Sequence, residues 1–208
     1  MGFHKKTIRD VPIDNQTVLV RVDFDLPLNS QGEVVDDFPI KFSMQTIDFL
    51  LERGCKVVVV SHLGQPNGRD LNCSLEPAAA RLARLLKRDI RFIDGVIGDK
   101  VFQAVKQAPT RSVIVLENLR FYPEEVLNDY NFARDIVKST GARYFVQDAL
   151  GVVHNKHAST DAITAFVPSV AGLWLKDDYM RVQNIKRLFG IIEKSELPGI
   201  ESLLDVMG

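Results

Sequence analysis

The feature that most restricts what this chain can fold into is a series of short apolar runs that do not alternate. "TVLVRVDF" begins at Thr17, "KVVVVSH" at Lys56, "DIRFI" at Asp89, "SVIVLEN" at Ser112 and "RYFVQDA" at Arg143. A strand wetted on one face would alternate apolar and polar residues. Runs this continuous suit strands covered on both faces, as in a parallel sheet. The segments between them have helical period. "SLEPAAARLARLLKR" places Leu75, Ala78, Ala79, Leu82, Leu85 and Leu86 on one stripe, with Ser74 available as its N-cap. "NDYNFARDIVKSTG" places Phe132, Ala133, Ile136 and Val137 on another, opened by Asn128 and ended by Gly141. "SMQTIDFLLERG" ends in Gly54, directly before the second run. A further helix is expected from Asp178 to about Lys194, with a less regular tail after it. Strand alternating with helix predicts an α/β fold: a three-layer α/β/α domain with a mainly parallel sheet and right-handed crossovers.

Sheets of this kind hold ligands beyond the carboxyl ends of their strands. That directs attention to Asp23, Asp25, His62, Glu117, Asn118, Arg120, Asp148 and His154. In "RVDFDLPL", Arg21, Asp23 and Asp25 interrupt a run of Val, Phe and Leu, where charge is costly unless paired or used. Such a trio is either a structural Arg–Asp pair or part of a site, and the pattern alone leaves both open. The loop "SHLGQPNG" after the second strand has the glycines of an anion cradle. Its reaching positions, however, carry Gln65 and Asn67, and its first cation, Arg69, follows the second glycine.

Other chemistries find little support. No G-x-G-x-x-G follows the first strand, and no G-x-x-x-x-G-K-[ST] occurs. His154 and His157 form a pair conceivable for a metal, but without a neighbouring carboxylate or cysteine they read as polar site or surface residues. Cys73 lacks the cationic setting of a catalytic thiol, and Cys55 and Cys73 read as free thiols of a reducing compartment. A net charge of -1 gives no reason to expect nucleic acid or an anionic membrane as partner. With no secretion-type leader and no bilayer-length apolar run, a cytoplasmic protein is expected.

The motifs "RVDFDLPL", "SHLGQP", "VLENLRFYPEE", "DALGVVHNKHAS" and "VPSVAGLWL" resemble, in order and spacing, the N-domain motifs of phosphoglycerate kinase. The family forms read approximately RVDFNVPL, SHLGRP, LLENLRFHPEE, DAFGTAHRAHAS and LPSVAGFLM. The tail "ELPGIESLLD" is similar to the family's final residues, which return to pack on the N-domain. The resemblance therefore implies an N-domain-like unit over residues 1–175. Residues 176–208 would form a linking helix and a tail packed on the same unit. The glycine-rich nucleotide domain is expected to be missing.

That family transfers a phosphoryl group between 1,3-bisphosphoglycerate and ADP with magnesium. It holds the glycerate on the N-domain, and a hinge brings the nucleotide to it. The resemblance implies that Arg21, Asp23, Asp25, His62, Gln65, Arg120, His154, Asn155 and His157 occupy substrate-binding positions. Several carry a different chemistry. Pro39 stands in "DDFPIK" where the family's "DDTRIR" has its catalytic arginine, so no catalytic residue is expected. Gln65 and Asn155 also replace arginines, and Asp25 replaces a substrate-contacting asparagine. Each charged hydrogen bond contributes roughly 1.5–3 kcal/mol. Losing three would cost roughly 4–9 kcal/mol if they were additive, which neighbours seldom are; even the low end is about a thousandfold in affinity. Lys41 and Lys156 lie near enough in sequence to restore some potential, without the planar fork of arginine.

These departures imply a catalytically inactive relative that binds a small anionic metabolite or a protein partner through the former substrate face. No cofactor is expected in this chain, because magnesium and ATP or ADP belong to the family's other domain. The alternatives are the substrate half of a split kinase, or an assembly module that pairs with a partner or with itself through Phe38, Phe42 or Trp174.

Overall fold

The structure is a computed structural model and describes residues 3–189 of the 208. Six strands form one sheet: β1 (Thr17–Arg21), β2 (Lys56–Val60), β3 (Ile90–Ile93), β4 (Val113–Leu116), β5 (Tyr144–Gln147) and β6 (Ser169–Ala171). Their order is β3-β4-β2-β1-β5-β6, and every neighbouring pair is parallel. The five strands expected from the apolar runs are all present. The sixth is three residues long and carries no comparable run.

Continuous valine and isoleucine serve two cores at once, because successive side chains leave a strand on opposite faces. Val18, Val20, Val57, Val59, Val113 and Val115 join one core, packed under α1 (Phe38–Glu52) and α2 (Glu76–Leu86). Leu19, Val58, Val60, Ile114 and Leu116 join the other, under α3 (Asp99–Gln107) and α5 (Tyr130–Thr140). The three-layer α/β/α arrangement follows. α3 and the four-residue α4 (Pro123–Val126) are helices that the sequence reading did not mark.

Helix ends differ from expectation in instructive ways. α2 begins at Glu76, after Leu75, and Ser74 serves it indirectly. The Ser74 hydroxyl accepts from the Glu76 N–H and donates to Glu117 Oε2, while Glu117 Oε1 accepts from the Leu75 N–H. α5 is capped by Asp129, whose carboxylate accepts from the Phe132 N–H at 2.7 Å; Asn128 instead adopts a left-handed φ of 55°. α1 starts at Phe38, five residues before the expected segment, with Pro39 in its first turn, where a missing N–H costs nothing. The last described helix, α6 (Leu173–Phe189), also starts five residues early, so it runs through the expected boundary at residue 175. The tail expected to close on the domain lies outside the described residues. No helix among the described residues is long and apolar enough to cross a membrane.

Candidate functional site

The carboxyl ends of the central strands open into a cleft of about 650 Å³. Asp23 and Asp25 reach it from beyond β1, His62 and Gln65 from beyond β2, Arg120 from beyond β4, and Asp148 from beyond β5. α1 contributes Phe38, Pro39 and Phe42, α6 contributes Trp174 and Asp178, and Asn155 comes from the loop after β5.

One wall is the loop "SHLGQP", and it holds itself in place. Asp25 Oδ1 accepts from the Gly64 N–H at 2.7 Å, and Arg120 Nη1 donates to the Gly64 carbonyl at 2.7 Å. Gly64 has φ 63°, and a Cβ there would lie 3.1 Å from Cys73 Sγ, so this turn requires glycine. Behind the loop lies Arg21, 1% exposed. Its Nε donates to Ser159 Oγ at 3.1 Å, its Nη1 to Ser61 Oγ at 3.3 Å and to the Val22 carbonyl, and its Nη2 to His62 Nδ1 at 3.0 Å. A guanidinium donating into Nδ1 requires that nitrogen to accept, so His62 is neutral with its proton on Nε2, 3.7 Å from Asp25 Oδ2. Burial, then Arg21 and Arg120, push the His62 pKa down to about 2. His62 therefore brings no positive charge to the cleft at physiological pH.

The other wall is aromatic. Phe42 stacks on Trp174 with ring centroids 3.6 Å apart, and Phe38 meets Phe42 edge-on at 4.1 Å. Arg181 lies over the Trp174 ring at 5.2 Å. At the foot of this wall Asp148, 2% exposed, accepts through Oδ1 from the Leu175 N–H at 3.0 Å, while Thr46 Oγ1 accepts from the Leu173 N–H at 2.9 Å. These two bonds satisfy donors of the first turn of α6. Oδ2 of Asp148 has no hydrogen-bond partner among the described residues. Burial raises the Asp148 pKa to about 7. Gly172 permits this packing, since a Cβ there would sit 2.1 Å from Asp148 Oδ1.

Of the residues expected in a site, the cleft gathers Asp23, Asp25, His62, Gln65, Arg120 and Asn155, with Pro39 at its rim. Arg21, His154 and His157 are not part of its lining. Arg21 is a buried structural cation, with serines and His62 as its partners in place of the Arg–Asp pair considered from sequence. His154 is exposed. His157 is half-buried with Nδ1 3.9 Å from Glu125 Oε1, and burial lowers its pKa. Lys41 pairs with Asp37 at 2.7 Å and Lys156 is exposed; neither lines the cleft. Glu117 and Asn118 are buried braces: Asn118 Nδ2 donates to the carbonyls of Leu63 and Cys73.

Sequence reasoning missed Glu125 and Asp178. Glu125 is buried and accepts from both the hydroxyl and the N–H of Ser159; burial raises its pKa, opposed first by Arg21. Its neighbour Glu124 gave no hint of the difference, but an acid two residues after the proline that opens a helix is a signal for a cap or brace. Cys55 and Cys73 are unpaired, as expected, and burial raises both thiol pKa values. No group of three or more His, Cys, Asp or Glu side chains among the described residues is arranged to hold a metal ion.

The family model for phosphoglycerate kinase matches residues 8–189. A phosphoglycerate kinase of Coprothermobacter proteolyticus is 44% identical over 174 residues, which cover 83% of this chain and 44% of that protein. One of Desulforudis audaxviator is 46% identical, with the same coverage of each chain. The crystal structure of phosphoglycerate kinase from Pyrococcus horikoshii superposes with a TM-score of 0.78 at 28% identity, over 86% of this chain and 45% of that one. The chain thus spans less than half the length of the relatives it matches. With the family model, the sequence identity and the superposition in agreement, this chain belongs to the phosphoglycerate kinase family.

Proposed function

We propose that this chain does not transfer phosphoryl groups by itself and instead uses the cleft as a binding site for a ligand or a partner. The observation that carries this reading is the lining itself: Pro39, Gln65, Asn155 and Asp25 face the space where the family resemblance expects three arginines and an asparagine. Phosphoryl transfer depends on positioning and on cations that meet the migrating charge. Among the described residues Arg120 is the cation in the lining, and one of its terminal nitrogens is already engaged with the Gly64 carbonyl. Proline has no donor to offer from side chain or backbone. Nucleotide and magnesium, on this reading, are not ligands of this chain.

Two occupants were expected, a small anion and a protein partner. The lining favours an occupant with apolar surface, because Phe38 stands 59% exposed beside the Phe42–Trp174 stack while carboxylates face the same space. Incubation of the purified protein with 3-phosphoglycerate, ATP and magnesium tests the inactive reading. ADP release at the rate of the protein-free control is expected, and turnover above that control overturns it.

A further inference from the structure

We propose that a cavity at the amino ends of β3 and β4, the end of the sheet opposite the cleft, binds a compact inorganic polyphosphate. This site is separate from the cleft and independent of what the cleft holds.

The cavity, about 600 Å³, lies between the end of α2 and the turn before β4. Arg84, Lys87 and Arg88 line it from the first side and Arg111 from the second, with Asp89 as the carboxylate of the lining. All of these cations are exposed, and none is in an ion pair among the described residues. Elsewhere Arg53, Arg69, Arg81 and Arg134 each have a carboxylate partner. In a chain with a net charge of -1, cations gathered around one space without partners make a local positive field.

Backbone conformation marks the same place independently. The non-glycine residues with left-handed φ among the described ones are Asn15, Lys87, Arg111 and Asn128. Asparagine enters that region at low cost, because its short amide can hydrogen-bond locally. Lysine and arginine are strained there, where glycine or asparagine would relax the chain. Both cations held in this way, at φ 52° and 61°, line this cavity. Their turns are fixed by backbone bonds: the Lys87 N–H donates to the Ala83 carbonyl, and the Arg111 N–H donates to the Cys55 carbonyl at 3.0 Å. Arg88 Nη1 donates to the Arg111 carbonyl at 3.3 Å and ties one turn to the other. The helix dipole accounts for Arg84, a cation in the last turn of α2. It gives no reason for arginine at position 111, which lies on the other turn.

The side chains name the ligand. Guanidinium forks take phosphate oxygens two at a time, and an ammonium adds a point charge. Cations on two sides of one cavity suit an anion with more than one phosphate group. The lining contains no aromatic ring, so a nucleobase would find nothing to stack on. That favours a bare polyphosphate over a nucleotide or a single-stranded nucleic acid. The volume suits a small molecule.

The test titrates the full chain by calorimetry at low salt with tripolyphosphate, orthophosphate and a thymidine oligonucleotide. Tripolyphosphate is expected to bind about tenfold more tightly than orthophosphate, and added salt should weaken it. Lys87→Gly and Arg111→Gly each remove a charge and the backbone strain together. Each should weaken tripolyphosphate about fivefold while melting at or above the wild type. Arg134→Ala, which removes the same charge elsewhere, and Arg120→Ala in the cleft should leave the affinity unchanged. Glycine variants that melt well below the wild type would make the two cations part of the fold. Loss of binding in Arg120→Ala would assign the anion to the cleft, and an equal loss in Arg134→Ala would make it a response to net charge. Tighter binding of the oligonucleotide would make the patch a nucleic-acid surface. Any of these results, unchanged affinity in both glycine variants, or no binding of tripolyphosphate overturns the proposal.

Discussion

The two walls of the cleft use their polar groups in opposite ways. The loop wall spends them internally: Asp25 and Arg120 hold Gly64 from either side, and Arg21 fixes His62. The helical wall presents aromatic surface, and its buried carboxylate at Asp148 keeps one oxygen unsatisfied. In the first, charge is part of the scaffold. In the second, aromatic surface is left exposed while the unsatisfied oxygen is enclosed beneath it. A charged residue at a strand end is therefore not evidence of ligand contact until its hydrogen bonds have been followed.

The largest expected effect lies beneath the loop wall. Arg21→Ala leaves Glu125 buried without the cation that opposes its desolvation, and should cost about 3–5 kcal/mol in urea denaturation. A loss below about 1 kcal/mol would mean that Arg21 is not the strut described. At the helical wall, Gly172→Ala forces a methyl group against Asp148 Oδ1 and should cost about 3 kcal/mol, near the top of the range for overpacking. Asp148→Ala in the same background should recover part of that loss, because Oδ1 and Cγ are removed, while the Asp148 Cβ at 2.7 Å still crowds the new methyl group.

Asp148 also makes the comparison depend on pH. Its folded pKa, about 7, lies above its ordinary value of 3.8, so the folded state binds that proton more tightly than the unfolded chain does. Stability contributed by the protonated acid is present below about pH 4, is lost as pH rises toward 7, and is gone above it. Asp148→Asn should match the wild type near pH 4 and exceed it by on the order of 2 kcal/mol at pH 8. Parallel stability curves for the two proteins across that range would show that the carboxylate is not buried as described. The smallest effect is expected at the rim. Phe38→Ala removes one edge-on aromatic pair and should cost about 1 kcal/mol, with a change in Trp174 emission only if the stack shifts.

Much of this was legible in the sequence, for reasons that also explain the gaps. Strands β1, β2, β4 and β5 announce themselves because a strand covered on both faces must be almost continuously apolar, while β3, at the sheet edge, shows the same run with Arg91 exposed. β6 has only Ser169, Val170 and Ala171, and its place comes from pairing with β5. α3 could have been read from Val101, Ala104 and Val105, but its nine residues are mostly polar. α4 has four residues, too few for any period to show. The strand-end rule placed Asp23, Asp25, His62, Arg120 and Asp148 at the cleft. It could not show that Arg21 points into the protein, because a charge interrupting a strand looks the same whether it serves the fold or a ligand. Trp174 and Phe42 were visible as aromatics, yet their stacking joins positions far apart in the chain, and only packing reveals it.

Gly64 has one further consequence. A turn clamped by its own chain keeps its shape whether or not anything occupies the space in front of it. Residues such as Gln65 and Asn67 are then free to change what the surface attracts while the backbone beneath them stays put. The cleft should accordingly be a forgiving platform for altering recognition, and variants selected there would redirect specificity with little penalty to folding.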